Sequence, residues 1–541
     1  MSTIDQFDSP KEKFETAPRN QKGMPSGIPF IIGNEAAERF SYYGMRTILT
    51  IFMVDYLRMT EHDATNWGHT FYSAVYFMPI FGALLSDIFL GKYKTILSLS
   101  VIYCLGHLML ALNETQSGLM WGLTLIAIGS GGIKPCASAH VGDQFGPGNK
   151  HLLDKVFGFF YIAINVGAFI SSFATPLLLR AYGPSVAFGV PGALMLIATF
   201  VFWLGRYKFV HIPPYGKEYW KTLTSKEGLG ALGRLMFIYL FLSVFWALYD
   251  QNSTTWIFQA KSGFMDKTIN LGFVQFEILP DQIQLINPFL ILFLIPIFTY
   301  LVYPWLDKKI GLPPLKKIVL GMVIGALSYL IVAYTEDQMS KGIVMSVWWQ
   351  LLAFVVITVA EILISVTALE FSYTQAPIQL KSSVMSIYLF SVSLGNFIVT
   401  GVNNYNTQDA IIDKIETGQR TMLTLSEPRD LVHGEKVSFE NSINMFFVDA
   451  KKDTMSFNGT FHIGNISADK KSFEVVDSGW QSIATFTKKD GPSVIKGTSF
   501  SKMKFGAYFY FYAIFMIVTA IVFSFVASRY KGKTYIQGEE E

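Results

Sequence analysis

GNEAAERFSYYGMR, residues Gly33–Arg46, lies inside a long apolar segment flanked by Ile31, Ile32, Ile48, Leu49, Ile51 and Phe52. Glu35, Glu38, Arg39, Tyr42 and Arg46 recur at helical spacing, so at about 100° per residue they share one face within an arc of about 100°. A charged side chain at the centre of a spanning helix costs about 2.5–3.5 kcal/mol on insertion scales. Several on one face are tolerable only where that face looks into protein or a wet cavity. The bland alternative is a local ion-pair cluster; a polar pathway through a membrane accounts for more of the residues.

The 541 residues are 51% hydrophobic and only 15% charged, where a soluble chain of this length carries about 25% charge. Repeated apolar runs of about 18 residues or more read as transmembrane helices. The net charge of +3 gives no nucleic-acid signal. Cys104 and Cys136 both sit in apolar runs and read as free thiols. The polar N-terminus has no apolar core of the signal-peptide kind.

The reading is an all-α membrane protein of twelve helices in two six-helix bundles, with a small β domain inserted between helices 11 and 12. The expected organisation is a cytoplasmic tail, 1–27; a first bundle, 28–205; a cytoplasmic connection, 206–231; helices 7–11 of the second bundle, 232–403; the β domain, 404–502; helix 12, 503–528; and a cytoplasmic tail, 529–541. Within the first bundle the second span is expected at 67–90. Two groups of six suit a carrier built from repeats. Lysine and arginine concentrate in the tails, the central connection and alternate short loops, which places both termini inside and the β domain outside. That domain reads as β from short alternating runs such as VSFENSI and TFHIGNI, separated by turn signals. Asn458 and Asn465 are N-x-S/T sequons there, and the domain itself reads as an insertion in a tolerant loop.

This topology sorts the intramembrane charges into two layers. Glu35, Glu38, Lys134 and Glu361 fall in the inner layer, and Arg46, His69 and Asp250 in the outer. Opposite charges on opposing halves, Lys134 with Glu361 and Arg46 or His69 with Asp250, suggest a latch near each mouth of an alternating-access carrier. Any one of them could instead be structural glue; His69 gains interest from its neighbouring aspartate, since an imidazole titrates near 6.5.

Glu35-Ala-Ala-Glu38-Arg39-Phe40, followed by Tyr42-Tyr43-Gly44, resembles the ExxERF signature of the proton-dependent oligopeptide transporters of the major facilitator superfamily. FGFFYIAINVGAF, Phe157–Phe169, is similar to that family's helix 5 pattern. GALLSDIFLGKYK, Gly82–Lys94, resembles the superfamily's helix 2–3 loop. GGIKPCASAHVGDQF around Lys134 and LEFSYTQAP, ending at Pro377, resemble the animal-type peptide carriers.

The resemblance implies proton-driven import of di- and tripeptides, with no cofactor. Arg46 and Lys134 would take the peptide carboxylate, helped by Tyr42 and Tyr76. Glu361, Asn165 and Asn287 would take the amino terminus, and Trp246, Trp256 and Tyr43 would line side-chain pockets. Glu35, Glu38 and Arg39 would couple protons to the inner gate, and His69 and Asp250 would serve the outer one. Tyr388 stands where the family commonly has tryptophan. The expected partners are small peptides, protons and a plasma or bacterial inner membrane, with no nucleic acid and no obligatory protein. No GxxxxGK[ST], HExxH, nucleophile elbow or cysteine-rich metal motif is present, so an enzyme reading is set aside. Two rivals stay open: the same fold carrying nitrate or another solute, and a non-transporting peptide sensor.

Overall fold

The computed structural model describes residues 14–18, 20–214, 216–309, 311, 313–375, 381–448, 454–487 and 492–530. Most of the N-terminal tail, the C-terminal tail beyond 530 and residues 376–380, which include the last two of the LEFSYTQAP motif, lie outside them.

The charged stretch is helical. It belongs to α1, Ile28–Ile51, which runs on as a π turn through Phe52–Tyr56. There follow α2 (Glu61–Leu90), α3 (Lys92–Leu112), α4 (Gln116–Gly142), α5 (Lys150–Tyr182) and α6 (Pro184–Tyr207). After them come α7 (Lys226–Lys261), α8 (Gln282–Trp305), α9 (Pro314–Met339), α10 (Trp348–Leu369), α11 (Ser383–Asn406) and α12 (Ala507–Arg529). Among the described residues, the eleven helices α2–α12 are long and apolar enough to cross a membrane; α1, with Glu35, Glu38, Arg39 and Arg46, is not among them.

Two expected boundaries shift because of capping. The sequence reading starts the second span at 67, yet the helix begins at Glu61, where the Thr60 hydroxyl accepts the Asp63 N–H at 3.0 Å and Glu61 and Asp63 fill the positive first turn. The seventh begins at Lys226 rather than 232, capped by Ser225 on the Gly228 N–H. The central connection also holds a short helix, Lys217–Leu223. Gly91, at φ 75°, makes the tight turn between α2 and α3.

The helices pack as two bundles. In the first, α1 lies against α5 and α6, and α3 against α4 and α6; in the second, α9 lies against α10 and α12, and α7 against α11. The bundles meet along α2 with α11 and α5 with α8. Apolar burial follows this division. One core holds Phe245, Trp256, Tyr329, Phe354 and Tyr512 of the second half, and two others fill opposite ends of the first.

Between α11 and α12 the chain forms a seven-stranded antiparallel sheet. Its strands are β1 (Thr407–Ala410), β2 (Ile412–Glu416), β3 (Thr421–Leu425), β4 (Lys436–Ile443), β5 (Gly459–Ile466), β6 (Ser472–Val476) and β7 (Val494–Ser501), in spatial order β1-β7-β4-β5-β6-β3-β2. Alternating residues Val437, Phe439, Phe461, Ile463, Phe473 and Val475 build its core. The Asn465 amide donates to Glu474 at 2.6 Å, so the nitrogen that a glycan would need is engaged. Cys104 and Cys136 are both free thiols.

Candidate functional site

The charged face of α1 looks along the seam between the two halves. At the end carrying the β domain, Arg46 Nη2 binds Asp250 Oδ1 of α7 at 2.7 Å, and both residues are buried. The expected Arg46–Asp250 pair is therefore made. Arg46 also lies over the Tyr72 ring at 4.5 Å and donates to Ser253 Oγ at 3.2 Å. The second Asp250 oxygen accepts from Asn396 Nδ2 of α11 at 2.7 Å.

His69 takes a different place from the one expected. It does not pair with Asp250: its ring nitrogens face Asn396 Oδ1 at 2.6 Å and Thr254 Oγ1 at 2.9 Å. Asn396 thus stands between the histidine and the carboxylate, using its oxygen for one and its nitrogen for the other. Thr50 donates to the Ser253 carbonyl at 2.6 Å, and the Ser73 and Ser393 hydroxyls meet at 2.8 Å. Ile257 and Phe258 of α7 are buried in the first half's own core. These contacts shut the seam at the domain end.

Deeper along α1, Arg39 Nε lies 2.7 Å from Glu35 Oε1 and 3.1 Å from Glu38 Oε2, within one helix. Lys134 of α4, immediately before Pro135, puts its ammonium over the rings of Tyr42 and Tyr76 at 4.1 and 4.2 Å. Among the described residues its buried Nζ has no hydrogen-bond partner. Cation–π contacts offset part of that desolvation but leave three donors unused.

Glu361 ends the α-helical part of α10, where the backbone loosens into a π segment, Ile362–Val366, a feature common at functional sites. It accepts from Asn287 Nδ2 of α8 at 2.7 Å. The expected Lys134–Glu361 pair is not made. The reason is geometric: the lysine is held on the first half by two tyrosine rings, the glutamate on the second by Asn287, and no contact joins them here.

Other expected residues divide. Asn165 is buried on α5, with its amide donating to the Tyr161 carbonyl at 3.0 Å. Tyr43 meets Tyr42 edge-on at 5.4 Å. Trp246 packs on Tyr249 and against the Gly395 backbone of α11, and its buried indole nitrogen has no partner among the described residues. Trp256 is only 1% exposed, wedged between Tyr329 and Phe354 in the second half's core, so it is packing and not pocket wall. Tyr388 is likewise inside that core, edge-on to Tyr239.

The sequence reading missed Tyr72, Ser253, Thr254 and Asn396. Tyr72 was legible, because His69, Tyr72 and Tyr76 fall at i, i+3 and i+7 on one helical face. Asn396 stands out as an amide in the apolar run of α11. Its link to both His69 and Asp250 is tertiary and has no local signal.

Two helical halves facing each other across buried charge, closed at one end, define the class of multi-pass membrane proteins built from paired bundles. The sequence profile described as the POT family (PTR2) matches residues 93–222 and 215–416, and the chain belongs to that family. It is 39% identical to the Drosophila melanogaster protein named peptide transporter family 1 over 59% of this chain and 48% of that one. It is 36% identical to Rattus norvegicus solute carrier family 15 member 2 over 58% and 49%. The chain thus spans about half the length of these relatives. Among solved structures, the in meso crystal structure of the POT family transporter PepTSo superposes with a TM-score of 0.68 at 29% identity, covering 94% of this chain and 98% of that one.

Proposed function

We propose that this protein is a proton-coupled symporter for di- and tripeptides, working by alternating access between two six-helix bundles. In this reading α1 is the twelfth spanning helix, its charges tolerated because they face the seam. Both termini are cytoplasmic, the β domain lies outside a plasma or bacterial inner membrane, and the state seen is one closed at the outer end.

The observation that carries the reading is the pairing state of the buried charges. The outer latch Arg46–Asp250 is closed across the halves, while Lys134 and Glu361 stand on opposite halves without pairing. An uncompensated ammonium and a carboxylate held apart suit a zwitterion, whose two ends neutralise both. Lys134 takes the peptide carboxylate, with Tyr42 and Tyr76 beside it, and Glu361 with Asn287 takes the amino terminus. An anion such as nitrate satisfies only the lysine and is repelled by Glu361, which favours a zwitterionic cargo. Arg39 shared between Glu35 and Glu38 gives a proton a place to act: protonating either glutamate weakens that pair and frees positive charge. One proton moving down 100 mV gains about 2.3 kcal/mol, enough for about fifty-fold accumulation. No cofactor is needed for this cycle.

The test is uptake of labelled dipeptide into proteoliposomes with and without an inward proton gradient. The native chain is expected to accumulate dipeptide only with the gradient, and Lys134→Ala and Glu361→Ala each to abolish accumulation. Binding without accumulation would turn the reading toward a sensor; near-normal gradient-driven uptake by either variant would remove that residue from the mechanism.

A further inference from the structure

The β domain is tied to the second half at both ends. It leaves α11 at Asn406 and rejoins at α12, and the two crossings are stapled: the Lys502 N–H donates to the Asn406 carbonyl and the Met503 N–H to Asn406 Oδ1, each at 2.7 Å. The Gly506 N–H donates to Asp337 Oδ1 of α9 at 3.1 Å. Beyond α7, the Gly263 N–H donates to the Ser478 carbonyl at 3.2 Å, and Phe264 packs on Trp480 at 4.5 Å. The backbones approach so closely that a Cβ on Gly263 would lie 2.7 Å from the Gly479 Cα. These contacts fasten the domain to the second half at both chain crossings and again at the segment after α7.

Its contacts with the first half form a separate set, gathered on the α1–α2 corner. Lys436 Nζ, at the start of β4, binds Glu61 Oε2 at 2.8 Å. The Glu61 N–H, a first-turn donor with no acceptor inside its helix, donates to Thr460 Oγ1 of β5 at 2.9 Å. Arg58 lies over the Phe447 ring at 5.8 Å. Glu336 of α9 acts electrostatically on Lys436 from the other half, so one ammonium from the domain serves a carboxylate of each bundle.

Around these contacts the interface is hollow. Two cavities of about 150 and 730 Å3 separate the domain from the helix ends, and both are bounded by Glu61, Gln259, Glu336, Lys436 and His462. The first half therefore touches the domain through a few polar posts standing among cavities, an arrangement that can part without separating a continuous packed face.

We propose that this face of the β domain is a third element of the outer gate, with Lys436 and Thr460 as positioning residues that hold the first half against the second. Parting the halves at the domain end leaves the domain on α11 and α12 and breaks the Lys436–Glu61 and Thr460–Glu61 contacts. The domain so biases the chain toward the outward-closed state, which gives the insertion a role in setting how often the transporter opens outward. This rests on the alternating-access reading.

The test uses the full chain in lipid nanodiscs without substrate. Cys104 and Cys136 are replaced by serine, and spin labels are placed at Gln116→Cys in the first half and Lys341→Cys in the second, both exposed at the domain end. Lys436→Gln and Glu61→Gln are each expected to raise the ratio of long to short inter-label distances about fivefold, the factor for about 1 kcal/mol in a partly buried pair. In a Glu336→Gln background, where no carboxylate of the second half faces position 436, Lys436→Glu combined with Glu61→Lys is expected to return the ratio toward that background's value, a rescue that a purely structural role would not give. Unchanged distances in the single variants, or a swapped pair that behaves like either single one, would overturn the proposal. Dipeptide uptake by the native chain is read separately: its absence counts against the carrier reading alone, and unaltered distances beside normal uptake count against the gate role alone.

Discussion

At the scale of single residues, the buried ions explain why α1 tolerates so much charge. Arg46 is satisfied by Asp250 and Ser253 and covered by Tyr72. Removing one partner of a buried pair leaves the other uncompensated, at a cost of about 3–5 kcal/mol, whereas replacing both by apolar residues is often neutral. Asp250→Ala is therefore expected to lower the melting temperature of the purified protein far more than Arg46→Met combined with Asp250→Leu, although both variants lose uptake. A double variant no more stable than the single one would show that the ion pair is not what makes the alanine change costly. The Glu35–Arg39–Glu38 group makes a functional prediction. Glu35→Gln or Glu38→Gln is expected to remove gradient-driven accumulation while sparing exchange of labelled for unlabelled dipeptide, which moves no net proton. Loss of exchange as well would point to a folding defect.

At the scale of elements, α2 and the β domain carry the next predictions. Thr60 caps the first turn of α2, and Thr60→Ala is expected to cost about 1 kcal/mol, visible as faster amide exchange over residues 61–66. In the domain, His462 on β5 is held neutral: burial pushes its imidazole down to about 4, Lys436 adds to the effect, and Glu61 opposes it. An unfolded histidine titrates near 6.5, so between about 6.5 and 4 only the unfolded domain gains a proton there. The stability that neutral His462 preserves is full above about 6.5 and declines as pH falls toward 4. Glu440 acts with the opposite sign, since burial and the neighbouring Asp63 carboxylate push its carboxyl up. The histidine's share is thus the difference between the native chain and His462→Gln. The protection of β4–β6 amides, taken relative to their intrinsic exchange rate at each pH, is expected to fall from pH 7 to pH 5 in the native chain more than in His462→Gln; equal losses would remove the histidine from the pH dependence.

At the scale of the whole molecule, the asymmetry of the seam is the central fact. The domain end is shut by hydroxyl, amide and ionic contacts that cross between halves, and the charges farther in are unpaired across it. Locking that end follows from the geometry. The Ser73 and Ser393 hydroxyl oxygens are 2.8 Å apart on α2 and α11, so Ser73→Cys with Ser393→Cys is expected to form a disulfide under oxidation. Uptake should stop when the bond forms and return on reduction. Full uptake by the oxidised, crosslinked protein would contradict opening at the domain end.

The sequence by itself determined the helical elements, the inserted β domain and the identity of most charged residues at the seam. Those depend on local quantities: apolar run length, helical spacing, strand alternation and the cost of placing ions in hydrocarbon. The ExxERF stretch even indicated which face of α1 looks inward. Tertiary structure alone decided who pairs with whom. Asp250 prefers Arg46 and Asn396 to His69, Trp256 belongs to a packed core, and Lys134 rests on two tyrosines instead of meeting Glu361. Only tertiary structure, too, set Lys436 beside Glu61, 375 positions apart in the chain. Residues so distant in sequence are brought together by the meeting of two bundles and a domain, and the free energy of such a contact depends on which conformation the halves adopt. No local pattern encodes that choice.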